Sequence, residues 1–279
     1  MLDRALRSTS LLILTTALLL AGGCSSDARK VKSRQAELYY SSGTQSLMDK
    51  EYTTALKSLV KANELDANNP EILNNLGMAY YFKGHKELAV RNLNRALELN
   101  ETNSDARVNL ASIYLREGKL KQSESLYKKV LEDLTYDKQA RTLYNLGIIE
   151  AQYKKNTVSA ENYFKKSIKE DDNYCPSYYQ LGLLQYHRRQ YNSALKNFKE
   201  ASMGTCYESP APQYYQGLTM VELRRFDEAR IKFDEIESRF KKSDFAVKAR
   251  AKSLELGDIE SRTKTQSHAA RKVLESPEF

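Results

Sequence analysis

Apolar residues recur at helical spacing through residues 70–103, in two runs that a Lys83-Gly84 turn separates. Asn69 can cap the first run, and Pro70 stands at its first helical position, where a missing N–H costs nothing. The apolar positions are Leu73, Leu76, Tyr80 and Phe82 in the first run and Leu88, Leu93, Ala96, Leu97 and Leu99 in the second. This spacing predicts two amphipathic helices joined by a short turn.

One hairpin of this kind cannot bury its own apolar face, and the sequence contains further copies of it. A small residue of the first helix recurs every 34 to 36 residues, at Gly43, Gly77, Ala111, Gly147, Gly182 and Gly217. A small residue of the second helix recurs in step with it, at Ala55, Ala89, Ser123, Ala160, Ala194 and Ala229. Because short side chains let two backbones approach closely, we expect the helices to cross at these positions. A large apolar residue follows four positions later each time, at Leu59, Leu93, Tyr127, Phe164, Phe198 and Phe233.

Six helix–turn–helix copies at this period resemble the tetratricopeptide (TPR) repeat, whose pattern places Leu-Gly-x-x-Tyr in one helix and Ala-x-x-x-Phe in the other. Leu76-Gly77-x-x-Tyr80 matches the first half fully, and Leu110-Ala111-x-x-Tyr114 matches it nearly so. The early Trp of the family is absent, and its positions carry Tyr39, Leu73, Arg107, Leu143, Tyr178 and Gln213. The resemblance implies an all-α fold, a right-handed superhelical solenoid of about six repeats with a capping helix.

The repeats are predicted over residues 36–243, with bounds at 36–69, 70–103, 104–137, 138–174, 175–209 and 210–243. The fourth copy contains Lys154-Lys155-Asn156-Thr157, which we interpret as an enlarged turn that accounts for the longer spacing there. Residues 244–256 are amphipathic and predict the capping helix that covers the apolar face of a terminal repeat. Residues 257–279 are polar and are predicted to be mostly disordered.

The first 24 residues follow a different pattern. Arg4 and Arg7 give a positive end, an apolar run from Leu11 to Leu20 follows, and Ala21-Gly22-Gly23 leads into Cys24. Residues 1–23 are therefore interpreted as a secretory signal peptide. Its ending resembles a bacterial lipobox, in which small residues precede a Cys that receives lipid, although Ala21 occupies the place where Leu or Val is commonest.

The lipobox resemblance implies that Cys24 becomes the acylated first residue of the mature protein, with residues 24–35 as a polar, basic tether. Ser25 rather than Asp follows Cys24, and in the lipoproteins that this segment resembles a Ser implies sorting to the outer membrane. Several acyl chains would hold the protein at that membrane, facing the periplasm. A plain signal peptide with a chance Cys is the alternative interpretation.

The 279-residue chain is 41% hydrophobic and 29% charged, the composition of a soluble helical protein rather than of a disordered or fibrous one. Its formal net charge is +8, which raises the question of a nucleic-acid partner. We expect no nucleic acid, because an exported chain does not meet it and because basic and acidic residues are interspersed along the helices. Nothing after residue 24 approaches the ~18 consecutive apolar residues that a membrane span needs.

Beyond Cys24 the chain has two cysteines, Cys175 and Cys206. They fall at the start of the fifth repeat's first helix and just past the end of its second, and an antiparallel hairpin brings those two ends together. An oxidising periplasm permits a disulfide between them, and we predict one. Metal binding by the two thiols is the alternative, but two thiols without a nearby His make a poor metal site.

The sequence shows no catalytic constellation. The three histidines, His85, His187 and His268, fall far apart in a repeat array, and no H-E-x-x-H, G-x-S-x-G or phosphate-binding glycine pattern occurs. Asp171-Asp172 lies in an inter-repeat loop, where acidic residues are ordinarily solvated turn residues. We therefore expect no enzyme activity, no cofactor, no metal and no small-molecule substrate.

In the TPR arrays that this chain resembles, the first helix of each repeat lines a concave groove that binds a protein segment. The candidate binding residues at the groove positions are Tyr40, Met78, Tyr81, Val108, Leu115, Tyr144, Ile148, Tyr179, Leu183, Tyr186 and Tyr214. The remaining groove positions carry Thr44, Leu47, Asn74, Ser112, Ala151, Leu218 and Val221. Tyrosine gives a large contact area at low entropic cost and a hydroxyl for main-chain groups. Packing between neighbouring helices is the alternative role for each tyrosine.

TPR domains that clamp a C-terminal carboxylate carry Lys and Arg on this face, and here those places are mostly apolar, so that subclass is disfavoured. A lipobox followed by six repeats and a short basic tether resembles the TPR pilotins of type IV pili, the PilF/PilW/Tgl group. The resemblance implies that the protein binds the secretin, the exit channel of the pilus, and promotes its outer-membrane localisation and multimer assembly. The alternative is a general TPR scaffold lipoprotein for outer-membrane barrel assembly or for periplasmic cell-wall enzymes or proteases.

Overall fold

The structure is a computed structural model, and it describes residues 29–258 apart from the side chain of Thr205. The predicted signal peptide, Cys24 and residues 259–279 lie outside the described residues. We number the α-helices in chain order. Their bounds are α1 29–48, α2 Tyr52–Leu65, α3 Pro70–Phe82, α4 Lys86–Leu99, α5 Ser104–Arg116, α6 Leu120–Leu131, α7 Gln139–Ile148, α8 Thr157–Glu170, α9 Cys175–His187, α10 Tyr191–Glu200, α11 Pro210–Glu222, α12 Phe226–Arg239 and α13 244–258. A π-helical turn, Ile149–Tyr153, extends α7, and a short 3-10 turn, Gly204–Cys206, follows α10.

The helices pair as α1–α2 through α11–α12, with α13 after the last pair. The prediction of six helix–turn–helix repeats with a capping helix is confirmed, and the described residues contain no strand. The Asn69 side chain caps α3 by accepting hydrogen bonds from two main-chain N–H groups of its first turn, at 3.1 and 3.2 Å. Asn103 and Asn156 cap α5 and α8, each by accepting one main-chain N–H hydrogen bond. In the described part of the chain, no helix combines the length and apolar character that a bilayer crossing requires.

Each turn within a repeat contains one residue in the left-handed backbone region, which reverses the chain after the first helix. The residues are Lys50, Gly84, Gly118, Lys155, Arg189 and Arg224, with φ between 57° and 85°. Glycine adopts this region freely, whereas the four basic residues do so at some cost in backbone energy. The predicted Lys83-Gly84 turn therefore recurs in form, although its glycine does not recur in every repeat.

The two helices of a repeat cross at the small residues that the sequence singled out. A Cβ at Gly77 would lie 2.9 Å from Cγ of Leu93, and a Cβ at Gly182 would lie 2.7 Å from Cε1 of Phe198. Both distances are shorter than a carbon–carbon contact allows, so a larger residue would push the helices apart. The large residues at the six crossings are fully buried, and they are Leu59, Leu93, Tyr127, Phe164, Phe198 and Phe233. The predicted crossing points are confirmed.

The chain forms two compact units, which divide between Tyr136 and Asp137. Unit 1 contains α1–α6, and apolar residues of α3, α4 and α5 build a core within it. Unit 2 contains α7–α13, and its core includes Phe233 of α12 and Leu256 of α13. The terminal helix α13 therefore covers the apolar face of the last repeat, which is the role that a capping helix has in repeat proteins.

The structure corrects the interpretation of the enlarged turn at Lys154–Thr157. The longest spacing, 36 residues, precedes Gly147, and it falls in the α6–α7 connection, which runs over residues 132–138 where the α4–α5 connection takes only 100–103. The fourth repeat has one extra residue between Gly147 and Ala160. The π-helical turn Ile149–Tyr153 takes up this residue, because such a turn holds one residue more than a turn of α-helix.

The first helix begins at residue 29, before the predicted start of the repeats, so part of the predicted tether is helical. Residues 29–35 are all exposed, and Ala36 is the first buried residue of α1. The segment lacks Gly and Pro and is rich in Lys, Arg and Gln, which are good helix formers, and α1 offers a helix for it to extend. The helix thus begins several residues before the first residue that packs in the core.

Candidate partner-binding face

The candidate binding residues lie on the first helices of the repeats, which are the odd-numbered helices from α1 to α11. We count positions in each repeat so that the small residue of its first helix, such as Gly77 or Gly147, is the eighth. The candidate binding residues then occupy the fifth, ninth and twelfth positions, and this spacing places them on one side of a helix. We call the surface formed by these positions the odd-helix face and describe it separately in each unit. It consists in unit 1 of Tyr40, Thr44, Leu47, Asn74, Met78, Tyr81, Val108, Ser112 and Leu115, and in unit 2 of Tyr144, Ile148, Ala151, Tyr179, Leu183, Tyr186, Tyr214, Leu218 and Val221.

The accessible part of the odd-helix face in unit 1 includes Tyr40, Met78 and Tyr81, all of which are partly exposed. The guanidinium of Arg116 lies 5.9 Å from the centroid of the Tyr81 ring, within reach of a cation–π interaction. A thioether and two phenol rings together give an adaptable apolar surface with hydroxyl groups at its edge.

Tyr40 stands among carboxylates. Its hydroxyl makes a hydrogen bond with Thr44, and burial raises the pKa of the phenol above its ordinary value. The negative charges of Glu71, Glu37 and Asp105 add to the rise, in that order. These acidic residues are the second residues of the first three repeats, so one end of the odd-helix face in unit 1 is acidic.

Three predicted binding residues, Val108, Leu115 and Ile148, are buried. Val108 stands at the fifth position of its repeat, where four other repeats carry Tyr, and its short side chain does not reach the surface. Leu115 and Ile148 are 8% and 9% exposed. We therefore correct the prediction for these three residues, because they pack inside their units and offer almost no contact area.

A chain of side-chain hydrogen bonds joins the odd helices of unit 1. Asn75 Nδ2 donates to Thr44 Oγ1 at 2.8 Å, and Asn74 Nδ2 donates to Asn75 Oδ1 at 3.0 Å. Asn109 Nδ2 in turn donates to Asn74 Oδ1 at 2.9 Å, and both of these residues are buried. Buried amides require partners, so the chain of bonds stabilises one alignment of the three helices.

Sequence reasoning placed Asn74 on the face but missed Asn75 and Asn109. A signal was present in the repeats, because amide side chains recur at the sixth position. The residues at that position are Ser41, Asn75, Asn109, Asn145, Gln180 and Tyr215. Asn75 and Asn109 show that this position can join neighbouring odd helices through hydrogen bonds.

In unit 2 the odd-helix face is aromatic. At the fifth position of each repeat a tyrosine rests on the phenylalanine that fills the helix crossing of the same repeat. The ring contacts are Tyr144–Phe164, Tyr179–Phe198 and Tyr214–Phe233, with centroids 5.7 to 6.0 Å apart. The three tyrosines are partly exposed and the three phenylalanines are fully buried. The packing interpretation therefore applies to each of these tyrosines, whereas their role in partner binding stays a prediction that their partial exposure permits.

Tyr215 connects the aromatic residues of the fifth and sixth repeats. Its ring centroid lies 5.9 Å from that of Tyr179, 6.0 Å from that of Tyr186 and 6.0 Å from that of Tyr214. It also stacks on Phe198 at 5.5 Å. Sequence reasoning missed Tyr215, because the sixth position of the repeat was not among the positions expected on the face.

The phenol groups of Tyr179 and Tyr186 stay neutral at physiological pH. Burial raises the pKa of Tyr179 to about 12, and neighbouring tyrosines add to the rise. Burial also raises the pKa of Tyr186 to about 12, with the charge of Glu222 as the next cause. The hydroxyls of Tyr186 and Tyr191 both hydrogen-bond to Glu222. The face can therefore donate and accept hydrogen bonds through neutral hydroxyls.

Contacts with three helices hold the segment between α10 and α11. Cys175, the first residue of α9, and Cys206 have Cα atoms 6.2 Å apart, and the structure pairs their sulfur atoms. Gln213 Nε2 donates to the main-chain oxygen of Tyr207 at 2.9 Å, and the Arg239 guanidinium lies 3.6 Å from the centroid of the Tyr207 ring. Formation of the bridge in the cell stays a prediction. Within residues 29–258, no group of three or more His, Cys, Asp or Glu residues could hold a metal ion.

Three models of the tetratricopeptide repeat match the chain, over residues 104–169, 49–84 and 70–103. A curated relative is the photosystem I assembly protein Ycf3 of Rippkaea orientalis, which is 33% identical over 131 residues that cover 43% of this chain and 74% of Ycf3. Another is the type IV pilus assembly protein PilF of Pseudomonas aeruginosa, which is 24% identical over 163 residues that cover 46% of this chain and 64% of PilF.

Two solved structures of type IV pilus proteins are similar in fold. The structure of Pseudomonas aeruginosa PilF matches with a TM-score of 0.67 at 18% identity, over 79% of this chain and 98% of that chain. PilW, described as a widely conserved type IV pilus biogenesis factor, matches with a TM-score of 0.65 at 18% identity, over 76% of this chain and 97% of that chain. With its six helix pairs, its repeat matches and its identity to Ycf3, this chain belongs to the tetratricopeptide-repeat family, and it has the fold of PilF and PilW.

Proposed function

We propose that this protein is a type IV pilus biogenesis lipoprotein that binds the secretin and promotes its outer-membrane localisation and multimer assembly. The observation that carries the proposal is the extent of the match to PilF and PilW, because the repeats of this chain cover 98% and 97% of those two chains. TPR proteins bind protein partners, and the proposed activity is binding rather than catalysis.

The odd-helix face of unit 2 is the proposed secretin-binding surface. Tyr144, Tyr179, Tyr186 and Tyr214 are partly exposed there, together with Leu183. Each tyrosine is held by ring contacts, so little side-chain entropy is lost when a partner segment covers it. Their neutral hydroxyls suit the main-chain N–H and C=O groups of a bound segment.

The odd-helix face of unit 1 offers a second, smaller contact area. Met78 and Tyr81 are partly exposed, and Met adapts its shape to different partner side chains. The hydrogen-bonded amides of Asn74, Asn75 and Asn109 keep the odd helices of this unit in one alignment. A preformed surface binds more tightly than one that must be ordered on binding.

The membrane anchor is the other half of the proposal. Acylation of Cys24 would hold the protein at the inner side of the outer membrane, and Ser25 agrees with sorting to that membrane. A secretin segment bound to the odd-helix face would then be kept at the bilayer where the channel assembles. Pilus extension and surface motility would depend on this step.

The test is the secretin multimer content of outer membranes with and without this gene, measured by immunoblot of unboiled samples. We expect loss of multimers with secretin monomers remaining, and restoration by the wild-type gene. Multimers that are unchanged in the deletion strain would overturn the proposal. The search would then move to partners in outer-membrane barrel assembly and to periplasmic cell-wall enzymes or proteases.

A matched pair of variants in unit 2 tests the surface. Leu183→Glu places a charge on the odd-helix face, whereas Ile231→Glu places the same charge on α12, where Ile231 is well exposed and outside that face. We expect the deletion strain to regain secretin multimers with Ile231→Glu but not with Leu183→Glu, at equal protein levels. Equal restoration by both variants would exclude the odd-helix face of unit 2 as the binding surface.

A further inference from the structure

The first helix leaves uncovered a position that every other repeat buries. Leu38, the third residue of the first repeat, is 65% exposed. The residues at the same distance before the small residue of the other five repeats are all buried, and they are Ile72, Ala106, Thr142, Ser177 and Pro212. In the second, third, fifth and sixth repeats, a helix of the preceding pair packs against the first helix of the repeat. No helix pair precedes α1 in the described residues, so its outer side has no such cover.

The rest of this outer side is polar. Ser42 and Gln45 stand at the seventh and tenth positions of the first repeat and are exposed, whereas Leu76 and Ala79 at the same positions of the second repeat are buried. A polar outer side is what a terminal repeat needs in order to remain soluble. The apolar part of the outer side of α1 is therefore confined to the start of the helix. Val31 precedes Leu38 there by seven residues on the same side and is 58% exposed.

Basic residues surround these two apolar side chains. Residues 29–35 contain four basic side chains and no acidic one, and all seven residues are exposed. The basic residues are Arg29, Lys30, Lys32 and Arg34. None of the four has an ion-pair partner among the described residues. The beginning of α1 is thus a short amphipathic helix with a cationic border, the combination that binds at anionic membrane surfaces.

We propose that the first three turns of α1 lie on an anionic lipid surface, with Val31 and Leu38 in the headgroup region and the basic side chains on lipid phosphates. That α1 lies close to a membrane in the cell rests on the proposed lipid anchor at Cys24. Residue 29 follows Cys24 by five residues, and five residues span at most about 18 Å. The start of α1 therefore cannot leave the neighbourhood of the bilayer once Cys24 is acylated.

A second copy of the chain is a poor binding partner for the outer side of α1. Two exposed apolar side chains are far too few for a stable protein interface. Copies paired through this side would also bring their basic residues together, and such like charges repel each other. An anionic membrane offers the complementary charge over an extended area.

The test uses the unlipidated chain from Ser25 onward, so it depends neither on acylation of Cys24 nor on any secretin. Removing residues 1–24 takes away nothing that the described core contains, because the first buried residue is Ala36. Sedimentation is measured with vesicles of phosphatidylcholine alone and with vesicles that also contain phosphatidylglycerol. We expect binding only to the anionic vesicles, and about tenfold weaker binding when the salt concentration is raised well above the physiological value.

Two variant pairs locate the surface. Lys30→Glu with Arg34→Glu should weaken binding about tenfold or more, because each reversed charge converts attraction into repulsion. Lys241→Glu with Lys242→Glu is the matched control, since both residues are exposed and the change in net charge is the same. We expect the control to bind nearly as the wild type does. Equal weakening by the two pairs would overturn the proposal and leave only a general charge effect.

A third pair tests the apolar part. Val31→Ser with Leu38→Ser retains every charge and should weaken binding several-fold, with an unchanged melting temperature because both side chains are exposed. Binding that is unaffected by this pair, or equal binding to neutral and anionic vesicles, would contradict the proposal. Neither result would affect the proposed secretin role, which the multimer assay tests separately.

Discussion

Phe164 fills the space that any side chain at Gly147 would need. A Cβ at Gly147 would lie 2.5 Å from Cε1 and 2.7 Å from Cδ1 of the phenylalanine ring, which is fully buried. The Phe164 ring also contacts Tyr144, a partly exposed residue of the odd-helix face, and the two ring centroids are 6.0 Å apart. The close packing of α7 on α8 therefore stabilises the fourth repeat and also positions Tyr144 on the odd-helix face.

Replacing Gly147 with Leu should destabilise unit 2. The Leu side chain and the Phe164 ring cannot occupy the same space, so the helices must separate or the ring must move, at a cost of about 1–3 kcal/mol or more. Thermal and urea unfolding measure the change. Gly257→Leu is the control, because nothing lies within 4 Å of a Cβ at Gly257. Equal melting temperatures for the two variants would show that the crossing tolerates bulk.

Removing one amide from the hydrogen-bonded chain in unit 1 should also lower stability. Asn109→Ala leaves the Oδ1 atom of buried Asn74 without the donor that now lies 2.9 Å away, and an unpaired buried acceptor costs about 1–3 kcal/mol. Asn94→Ala, at an exposed position of α4, serves as the control. A urea midpoint for Asn109→Ala that matches the Asn94→Ala midpoint would mean that the buried amides contribute little.

The predicted bridge between Cys175 and Cys206 should stabilise the oxidised protein. The two residues are 31 apart in the sequence, and closing such a loop contributes about 3–4 kcal/mol in the chain-entropy model. The double variant Cys175→Ser with Cys206→Ser should unfold at lower urea than the oxidised wild type and should not respond to reductant. Reactive free thiols at Cys175 and Cys206 in the wild type purified from the outer membrane would contradict the prediction.

The raised pKa values of Tyr179 and Tyr186 should make the free energy of unfolding depend on pH in the alkaline range. Burial raises the pKa of Tyr179 and Tyr186 to about 12 in the folded state, against about 10 in the unfolded chain. The folded state therefore keeps its protons longer, so this contribution is complete below about pH 10 and is lost as pH rises towards 12. Urea unfolding and tyrosinate absorbance measure the effect, and Tyr179→Phe with Tyr186→Phe should reduce it. A variant whose stability falls as steeply as that of the wild type would place the cause elsewhere.

The anchor prediction concerns localisation alone. Cys24→Ala should leave the repeats folded, since Cys24 lies outside the described core, but should release the protein from the outer-membrane fraction. Ser25→Asp should keep the acyl chains while changing the membrane to which the protein is sorted. Cell fractionation with immunoblotting measures both. Unchanged outer-membrane fractionation of Cys24→Ala would exclude the lipoprotein interpretation.

The sequence predicted the repeat because its signals are local. The small residues such as Gly77 and Ala89, the large residue that follows four positions later, and the caps such as Asn69 are each read within one helix pair. The period then predicts a stack of such pairs. In the same way, the positions of Cys175 and Cys206 at the two ends of one hairpin predicted their proximity, which the structure shows as a Cα separation of 6.2 Å.

The candidate face was predictable only in part. Helical spacing placed Tyr40, Tyr144 and Tyr186 on one side of their helices, where the structure finds them partly exposed. The same spacing also selected Val108, which is fully buried. Spacing assigns a direction from the helix axis, whereas exposure depends on the length of the side chain and on the residues that cover it.

By itself, then, the sequence determined the helix pairs, their crossings and the side of each helix on which the candidate binding residues lie, because all three depend on residues within a few turns of one another. Tertiary structure decided which of those residues are accessible, since Val108 is buried and buried Asn109 pairs with Asn74, 35 positions away along the chain. It also decided how Asn74 pairs with Asn109, how Tyr215 stacks on Phe198 and where the chain divides into two units. The two side-chain pairings are contacts between neighbouring repeats. A periodic pattern indicates that such contacts exist without specifying which atoms make them.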